Sequence, residues 1–322
     1  MNQPQLIGSS GDSLREAFGK ALCHWADHFA FAVFDGDVAG GTGVHHFRKA
    51  FPQRFFQCGI AEQNMMALAA GFARETGEPA VVTTFAVFCM RAIEQARLSI
   101  AYAKANVKIV ASHPGMEVGP DGASAQCLED LAMFRAIPNM TVIAPVDPLQ
   151  VHCATRAILE HPGPVYMRTG RSPAQRFLEA GQPFVIGKGQ LLMAGHDVTL
   201  VACGSVAFEA LLALKTLRDQ GTDAGLVLMP TLKPLDTELL IHQAQSSGAF
   251  VTVEDHNQLG GLGSAVAEAL ARSVPCPIEM VGVADRFGES GEGDELRHHY
   301  GLTSPAIVQA AYHVMARKRS LD

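Results

Sequence analysis

Short apolar runs alternate with segments of helical periodicity along the first half of the chain. The runs are almost entirely apolar, which is typical of strands that are covered on both faces of a sheet. We predict strands over residues 29–34, 80–85, 107–112, 141–145 and 165–168. Because helices separate these strands, the pattern predicts an α/β fold with a parallel sheet.

The helices of the first half carry recognisable start and stop signals. Asp12 is the predicted cap of a helix that runs through Trp25, and Pro148 suits the first turn of a helix that ends at Glu160. The segment Glu62–Thr76 keeps an apolar stripe and stops at Gly77, a residue that favours helix ends. Further helices are predicted over residues 90–104 and 128–136.

A stretch rich in glycine and proline, residues 170–195, separates this half from a second alternation of strands and helices. Strands are predicted at 198–202, 225–229, 250–254 and 278–283, and helices at 206–220, 238–245, after Gly263 and at 305–317. The chain is therefore predicted to form two doubly wound α/β domains, residues 1–172 and 195–322, joined by a linker over 173–194.

Composition and charge narrow the functional class. The chain has 322 residues, of which 48% are hydrophobic, and a net charge of −7 without a run of Lys or Arg. These features disfavour nucleic-acid binding, and the lack of a long apolar stretch or signal peptide disfavours a membrane location. The seven cysteines are scattered and unpaired in spacing, so we expect a cytoplasmic protein without disulfides.

Several motifs offer chemistry, but each also has a structural interpretation. Gly260–Gly263 lacks full dinucleotide-binding spacing and reads better as a tight turn, while the acidic turn Asp35–Asp37 follows a strand, where ligands bind in α/β proteins. The pairs His45–His46 and His298–His299 are adjacent, so their side chains are expected to diverge, and we predict no metal site. Cys58 could be activated by a helix terminus, although such a cysteine is more often a small buried apolar group. Taken alone, Glu62 is explained by its favourable place in a first helical turn.

The surroundings of Glu62 change that interpretation. The stretch Gly59-Ile60-Ala61-Glu62-Gln63-Asn64, followed by Thr84-Phe85-Ala86-Val87-Phe88, resembles the pyrimidine-binding domain of transketolase. Gly119-Pro120-Asp121-Gly122 continues this match. Val253-Glu254-Asp255-His256-Asn257 and Asp285-Arg286-Phe287-Gly288 resemble the transketolase C-terminal domain. The resemblance covers nearly the whole chain.

One large piece of a full-length transketolase has no counterpart here, namely the domain that binds the diphosphate of thiamine diphosphate through Mg²⁺. The resemblance therefore implies one half of a split transketolase, whose partner subunit carries the Gly-Asp-Gly…Asn site and most of the Mg²⁺ contacts. The expected assembly is an α₂β₂ heterotetramer with the active site between unlike chains. The start at Met1 favours a separate gene product.

The resemblance assigns roles residue by residue. Glu62 would hydrogen-bond the pyrimidine ring nitrogen of the cofactor, and Phe85 and Phe88 would pack against that ring. Sugar-phosphate contacts are implied for Arg15, Asp37, His113, Asp121 and Arg168.

Some positions depart from the family pattern. Ala125 replaces a histidine that contacts the donor ketose, Gly41 replaces a phosphate-binding serine, and Pro114-Gly115 replaces Asp-Ser. We therefore expect transfer of a two-carbon ketol unit between a ketose and an aldose, on a branched or modified sugar.

Two other interpretations share this two-domain half. One is a related thiamine enzyme, such as 1-deoxyxylulose-5-phosphate synthase or the β subunit of a 2-oxoacid dehydrogenase. The other is a regulatory or binding paralogue without activity, which the intact set of Glu62, Phe85, Phe88 and Asp121 disfavours.

Overall fold

A computed structural model describes residues 11–179, 181 and 183–320. The strands that it shows are, in chain order, β1 Ala32–Asp35, β2 Phe55–Gln57, β3 Ala80–Phe85, β4 Val107–Ser112, β5 Thr141–Ile143, β6 Val165–Thr169, β7 Gln190–Met193, β8 Val198–Ala202, β9 Ala224–Leu228, β10 Thr231–Lys233, β11 Phe250–Asn257 and β12 Ile278–Val283.

The α-helices are α1 Leu14–Trp25, α2 Ala39–Thr42, α3 His45–Ala50, α4 Glu62–Thr76, α5 Ala86–Cys89, α6 Ile93–Gln95, α7 Asp130–Ala136, α8 Pro148–Glu160, α9 Ala207–Asp219, α10 Thr237–Ser247, α11 Leu262–Ala271, α12 Gly293–His299 and α13 Ser304–Arg319. Short 3₁₀ turns occupy Pro52–Arg54, Met90–Ala92 and Met116–Asp121, and a π-helical turn occupies Ala96–Tyr102.

Two parallel-dominated sheets organise the molecule. The first has the order β10-β5-β6-β4-β3-β1-β2, and the second has the order β12-β11-β8-β9-β7. Within these sheets β10 and β7 run antiparallel to their neighbours, while the other pairs are parallel. The predicted α/β class with two wound sheets is confirmed.

Strand β10 crosses between the two halves of the chain. It follows β9 of the second sheet in sequence, but it pairs with β5 at the edge of the first sheet. Strand β7 lies inside the segment predicted as a linker and joins the second sheet beside β9. The domain limits 1–172 and 195–322 stay a prediction, and these two strands tie the halves together.

Helix limits agree with the sequence where local signals are strong. Helix α4 spans the predicted residues and ends at Gly77, whose φ of 76° is the left-handed conformation that favours glycine. Asp147 caps α8 by accepting a hydrogen bond from the Gln150 amide.

Three predictions for individual elements were wrong. Ser13, not Asp12, caps α1, because Asp12 instead forms an ion pair with Lys20 at 2.8 Å. The continuous helix predicted over 90–104 is a succession of 3₁₀, α and π turns. The first strand begins at Ala32 rather than residue 29.

Candidate active site

The carboxyl ends of β1, β3 and β4 meet at one edge of the first sheet, where parallel α/β sheets usually bind ligands. Asp37 follows β1, Phe85 ends β3, and His113 follows β4. Topology therefore brings predicted site residues from distant parts of the sequence to a common edge.

Glu62 is the first residue of α4 and is buried, with 4% of its surface exposed. Its Oε1 accepts a hydrogen bond of 3.1 Å from Nη1 of Arg91. The Arg91 guanidinium also lies over the Phe88 ring, with its central carbon 4.8 Å from the ring centre. Arg91 thus links the carboxylate to the aromatic wall, and its side chain is more than half exposed, so it can move aside for a ligand.

Phe85, Phe88 and His113 form a stack of flat side chains. The Phe85 and Phe88 ring centres are 5.3 Å apart and nearly parallel, and the Phe85 and His113 ring centres are 3.8 Å apart. Both phenylalanines remain half-buried, so part of the wall is open to a ligand.

Gly41 makes room for this stack. A Cβ atom on Gly41 would lie 2.5 Å from Cε1 of Phe85 and 3.5 Å from Cε1 of His113. Phe85 therefore fills the space that a side chain at position 41 would need.

A chain of hydrogen bonds fixes His113. Nη1 of Arg15 donates to the Gly41 carbonyl at 3.0 Å and lies 3.4 Å from Nε2 of His113. Since a guanidinium can only donate, Nε2 is the acceptor and Nδ1 carries the proton, which points to Oγ of Ser112 at 2.9 Å. The Ser112 hydroxyl donates in turn to the Gly41 carbonyl.

His113 is neutral at physiological pH. Burial, reinforced by the positive charges of Arg15 and Arg171, lowers the pKa of His113 to about 3. It can therefore hydrogen-bond a ligand, but it offers no positive charge to a phosphate.

Asp121 lies at the end of the Met116–Asp121 turn and pairs with Nη1 of Arg171 at 3.2 Å. The charges of Asp121 and Arg171 both act on Arg15, which places these three side chains in one neighbourhood. The sugar-phosphate roles predicted for Arg15, His113 and Asp121 stay predictions, and the structure brings these residues together.

Two predicted substrate residues lie apart from this group. Asp37 is exposed and accepts a hydrogen bond of 2.8 Å from Nε2 of Gln57. Arg168 is buried, with Nη2 bound to the Asp255 carbonyl at 2.8 Å and Nε 3.4 Å from Asp130. Burial alone would lower the pKa of Arg168, but Asp130 and Asp255 raise it above its usual value, so its charge is neutralised inside the protein.

The loop that carries His113 and Asp121 is fixed by the second sheet. The Asp255 carboxylate, in β11, accepts from the Met116 amide at 2.9 and 3.0 Å. A Cβ atom on Gly115 would lie 2.2 Å from that carboxylate, so this close approach requires glycine. Glu117 in the same loop accepts from the Ser205 hydroxyl at 2.5 Å. The second domain thereby positions the loop of the first.

The sequence reasoning missed Arg91 and Arg171. Arg171 lies two residues beyond the end of β6, so its place after a strand was the signal that could have found it. Arg91 follows Phe88 by three residues, the spacing that puts side chains on one face of a helical turn.

The other motifs resolve as follows. The turn at Gly260–Gly263 is a close-packing turn, as predicted, because the Glu254 carboxylate accepts from the Leu262 and Gly263 amides at 2.6 and 2.8 Å. Burial raises the pKa of the Cys58 thiol, which is opposite to activation.

The expectation that His45 and His46 diverge was wrong. Their ring centres are 3.9 Å apart, because both residues begin α3 and lean past its end towards Glu16.

The donor set suits a flat heteroaromatic ring that carries a hydrogen-bonding nitrogen. A buried carboxyl and a half-open aromatic wall lie side by side, joined by Arg91. In the part of the chain that the structure describes, no helix is long and apolar enough to cross a membrane. Fold and site thus define a two-domain α/β protein with a ring-binding site at the carboxyl edge of its first sheet.

Comparisons with known proteins name that class. Residues 11–175 match the family described as "Transketolase, pyrimidine binding domain", and residues 187–307 match "Transketolase, C-terminal domain". The chain belongs to the transketolase family, whose members depend on thiamine diphosphate.

Relatives of similar length have names of split enzymes. The chain is 40% identical to "6-deoxy-6-sulfo-D-fructose transketolase subunit SqwH" of Clostridium sp. (strain MSTE9), covering 99% of each chain. It is 33% identical to one subunit of the apulose-4-phosphate transketolase of Phocaeicola vulgatus, covering 85% of this chain and 88% of that one. A solved structure entitled "Split gene transketolase, inactive beta4 tetramer" is 44% identical, with a TM-score of 0.90 over 96% of this chain and all of that one.

These relatives confirm the predicted family, and they confirm that the chain is one of the subunits of a split transketolase. They do not favour the synthase, dehydrogenase or regulatory alternatives.

Proposed function

We propose that this chain forms an active transketolase only with a diphosphate-binding partner subunit, and that it transfers a two-carbon ketol unit between a modified ketose and an aldose. The observation that carries the proposal is the buried Glu62 carboxyl beside the Phe85–Phe88 wall. When bound, thiamine diphosphate supplies the electron sink that allows a carbon–carbon bond next to a carbonyl to break and re-form.

The residues of this chain would hold the pyrimidine end of the cofactor. Glu62 would share a proton with the ring nitrogen, and Phe85 and Phe88 would pack on the ring face and exclude water. Arg91 would release Glu62, because its own pair with that carboxylate is half exposed and weak. The partner subunit would supply most of the Mg²⁺ and diphosphate contacts.

An exposed apolar surface next to Glu62 supports the need for a partner. We call it the apolar face, and it consists of Ile60, Leu68, Met90, Leu98 and Tyr102, of which Ile60 and Tyr102 are more than three-quarters exposed. Exposed apolar groups of this kind are typical of a surface that another chain covers. We propose that the partner subunit covers it in an α₂β₂ heterotetramer.

The substrate proposal rests on departures and relatives together. Ala125 and Gly41 lack polar side chains that the family uses for pentose phosphates, and Phe85 fills the space at Gly41. The names of two relatives specify 6-deoxy-6-sulfo-D-fructose and apulose 4-phosphate as their sugars. Arg15, His113 and Asp121 would contact the donor, while Asp37 would line the outer channel and Arg168 would act from within the protein.

The compartment is also proposed. All seven cysteines are free thiols, which suits a reducing cytoplasm.

The first test is affinity purification from the native host, followed by assays with thiamine diphosphate and Mg²⁺. We expect a stoichiometric second chain with a diphosphate site, and two-carbon transfer by the complex but not by the isolated chain. In the complex, Glu62→Gln should lower kcat at least about 100-fold, the scale of a lost acid–base contact. The matched control is Glu75→Gln, an exposed glutamate of the same helix, which should leave kcat unchanged.

Three results would contradict the proposal. Full activity of the isolated chain would remove the partner, and an active Glu62→Gln complex would remove the role of Glu62. Xylulose 5-phosphate as the best donor, at the efficiency of a housekeeping transketolase, would remove the modified substrate.

A further inference from the structure

Three metal-ligating side chains converge outside the proposed active site. Glu16 in α1 and His45 and His46 at the start of α3 place one ligand atom each within 4.8 Å of one another. All three residues are only partly exposed, so they are held by the fold rather than free in solvent.

The backbone fixes the distance between the two elements. A Cβ atom on Gly43, just before α3, would lie 2.2 Å from the Arg15 carbonyl oxygen, and one on Gly19 would lie 2.0 Å from the Gly43 carbonyl oxygen. Helix α1 and the turn before α3 are therefore in direct backbone contact, and Glu16 cannot move away from the histidines without separating them.

The polar groups of the cluster are incompletely satisfied. Nε2 of His46 lies 3.0 Å from a carboxylate oxygen of Glu16, which is one hydrogen bond. Nδ1 of His45 is buried and has no hydrogen-bond partner. A buried ring nitrogen without a partner is unfavourable, and a bound cation would use it as a ligand.

We propose that Glu16, His45 and His46 bind a divalent transition metal of the zinc class. Two imidazoles and one carboxylate suit Zn²⁺ and its neighbours, whereas Mg²⁺ prefers oxygen ligands alone. At metal–nitrogen distances of ~2.0–2.1 Å the ligand atoms must come to about 3.3 Å from one another, which small side-chain rotations from the observed cluster achieve. Three protein ligands leave the fourth tetrahedral position open.

The site is separate from the cofactor's Mg²⁺ in both position and donor set. Glu16 adjoins Arg15, whose guanidinium binds the Gly41 carbonyl and approaches His113. A metal would therefore stiffen the corner between α1 and α3 that holds Arg15 in place.

The test is calorimetric titration of the full chain with Zn²⁺ in a buffer with excess Mg²⁺, which occupies weak oxygen sites. We expect one Zn²⁺ per chain, and a visible absorption band when Co²⁺ is used instead. Glu16→Gln should weaken Zn²⁺ binding at least about tenfold, and the double variant H45A/H46A should abolish the one-to-one site.

The matched control is the double variant H24A/H28A. It removes two exposed histidines of the α1 end whose rings lie near each other but outside the cluster. It should retain the wild-type Zn²⁺ affinity. Glu16→Gln preserves shape, and its melting temperature without metal checks that the variant is folded.

The proposal is overturned if the wild-type chain binds no stoichiometric Zn²⁺, or if the folded Glu16→Gln and H45A/H46A variants bind it as the wild type does. It is equally overturned if binding is lost in H24A/H28A. None of these outcomes depends on the catalytic activity of the chain.

Discussion

Addition of a single methyl group at Gly41 should disturb the aromatic wall of the active site. In Gly41→Ala the new Cβ would lie 2.5 Å from Cε1 and 2.6 Å from Cζ of Phe85, whereas ordinary contacts begin at 3.4 Å. The Phe85 ring must therefore withdraw by about 1 Å, away from its 3.8 Å stack on His113.

Two magnitudes follow from that displacement. Overpacking of this kind costs about 1–3 kcal/mol of unfolding free energy. A misplacement of about 1 Å at a binding wall can lower activity about 100-fold. Gly41→Ala should thus weaken thiamine diphosphate binding and lower kcat/KM in the reconstituted complex, while the chain still folds.

The neighbouring Gly40 supplies the control, since a Cβ atom there would have no atom within 4 Å. Gly40→Ala should keep wild-type activity and stability, or gain up to about 1 kcal/mol from a less flexible unfolded chain. The assays are denaturant unfolding, cofactor titration and two-carbon transfer with both variants. Equal cofactor affinity and activity for Gly41→Ala and Gly40→Ala would refute the reasoning.

Three further outcomes are expected. Asp255→Ala leaves the buried Met116 amide without an acceptor and removes an anion near Arg168, so it should cost about 3 kcal/mol and raise KM, whereas exposed Asp219→Ala should do neither; wild-type KM in Asp255→Ala would exclude the loop-positioning role. The pKa of His113 is about 3 in the folded chain and near 6.5 when unfolded, so the unfolded state binds more protons between these values; this group should cost the wild type up to about 1.4 kcal/mol per pH unit as pH falls from 6.5, a slope that denaturation of His113→Gln should lack. Gly19→Ala places a methyl group 2.0 Å from the Gly43 carbonyl oxygen and should cost about 3 kcal/mol, while Gly71→Ala, in open space on α4, should gain about 0.5–1 kcal/mol; equal melting temperatures would contradict the close contact.

The sequence predicted those parts of the fold that local chemistry determines. Strands β3, β4, β8 and β12 have the predicted bounds, because each is an apolar run between clear breaks. Strands β2 and β10 were missed, since each has three residues and exists through pairing with a distant partner. The π-helical turn at Ala96–Tyr102 was also missed, because no periodicity of the segment distinguishes it from an α-helix.

The candidate site was predictable only in part for a similar reason. Glu62 stands out because its motif is contiguous, and Phe85 and Phe88 follow it in a recognisable pattern. Sequence does not show that Arg91 binds Glu62, that Asp255 fixes the Met116 amide, or that Arg168 is enclosed among acidic residues. Each of these contacts joins residues that are far apart in the chain, so only the folded topology creates them.

Strand β10 makes the two halves of the chain a single cooperative unit. A fragment that ends before residue 190 would lack β10 and would leave the hydrogen-bonding groups of β5 open at the edge of its sheet. Open edges of this kind invite pairing with other chains, so such a fragment should aggregate rather than fold as a free domain. Expression of the first half alone is therefore a poor route to its isolated structure, and heat should unfold the intact chain in one transition.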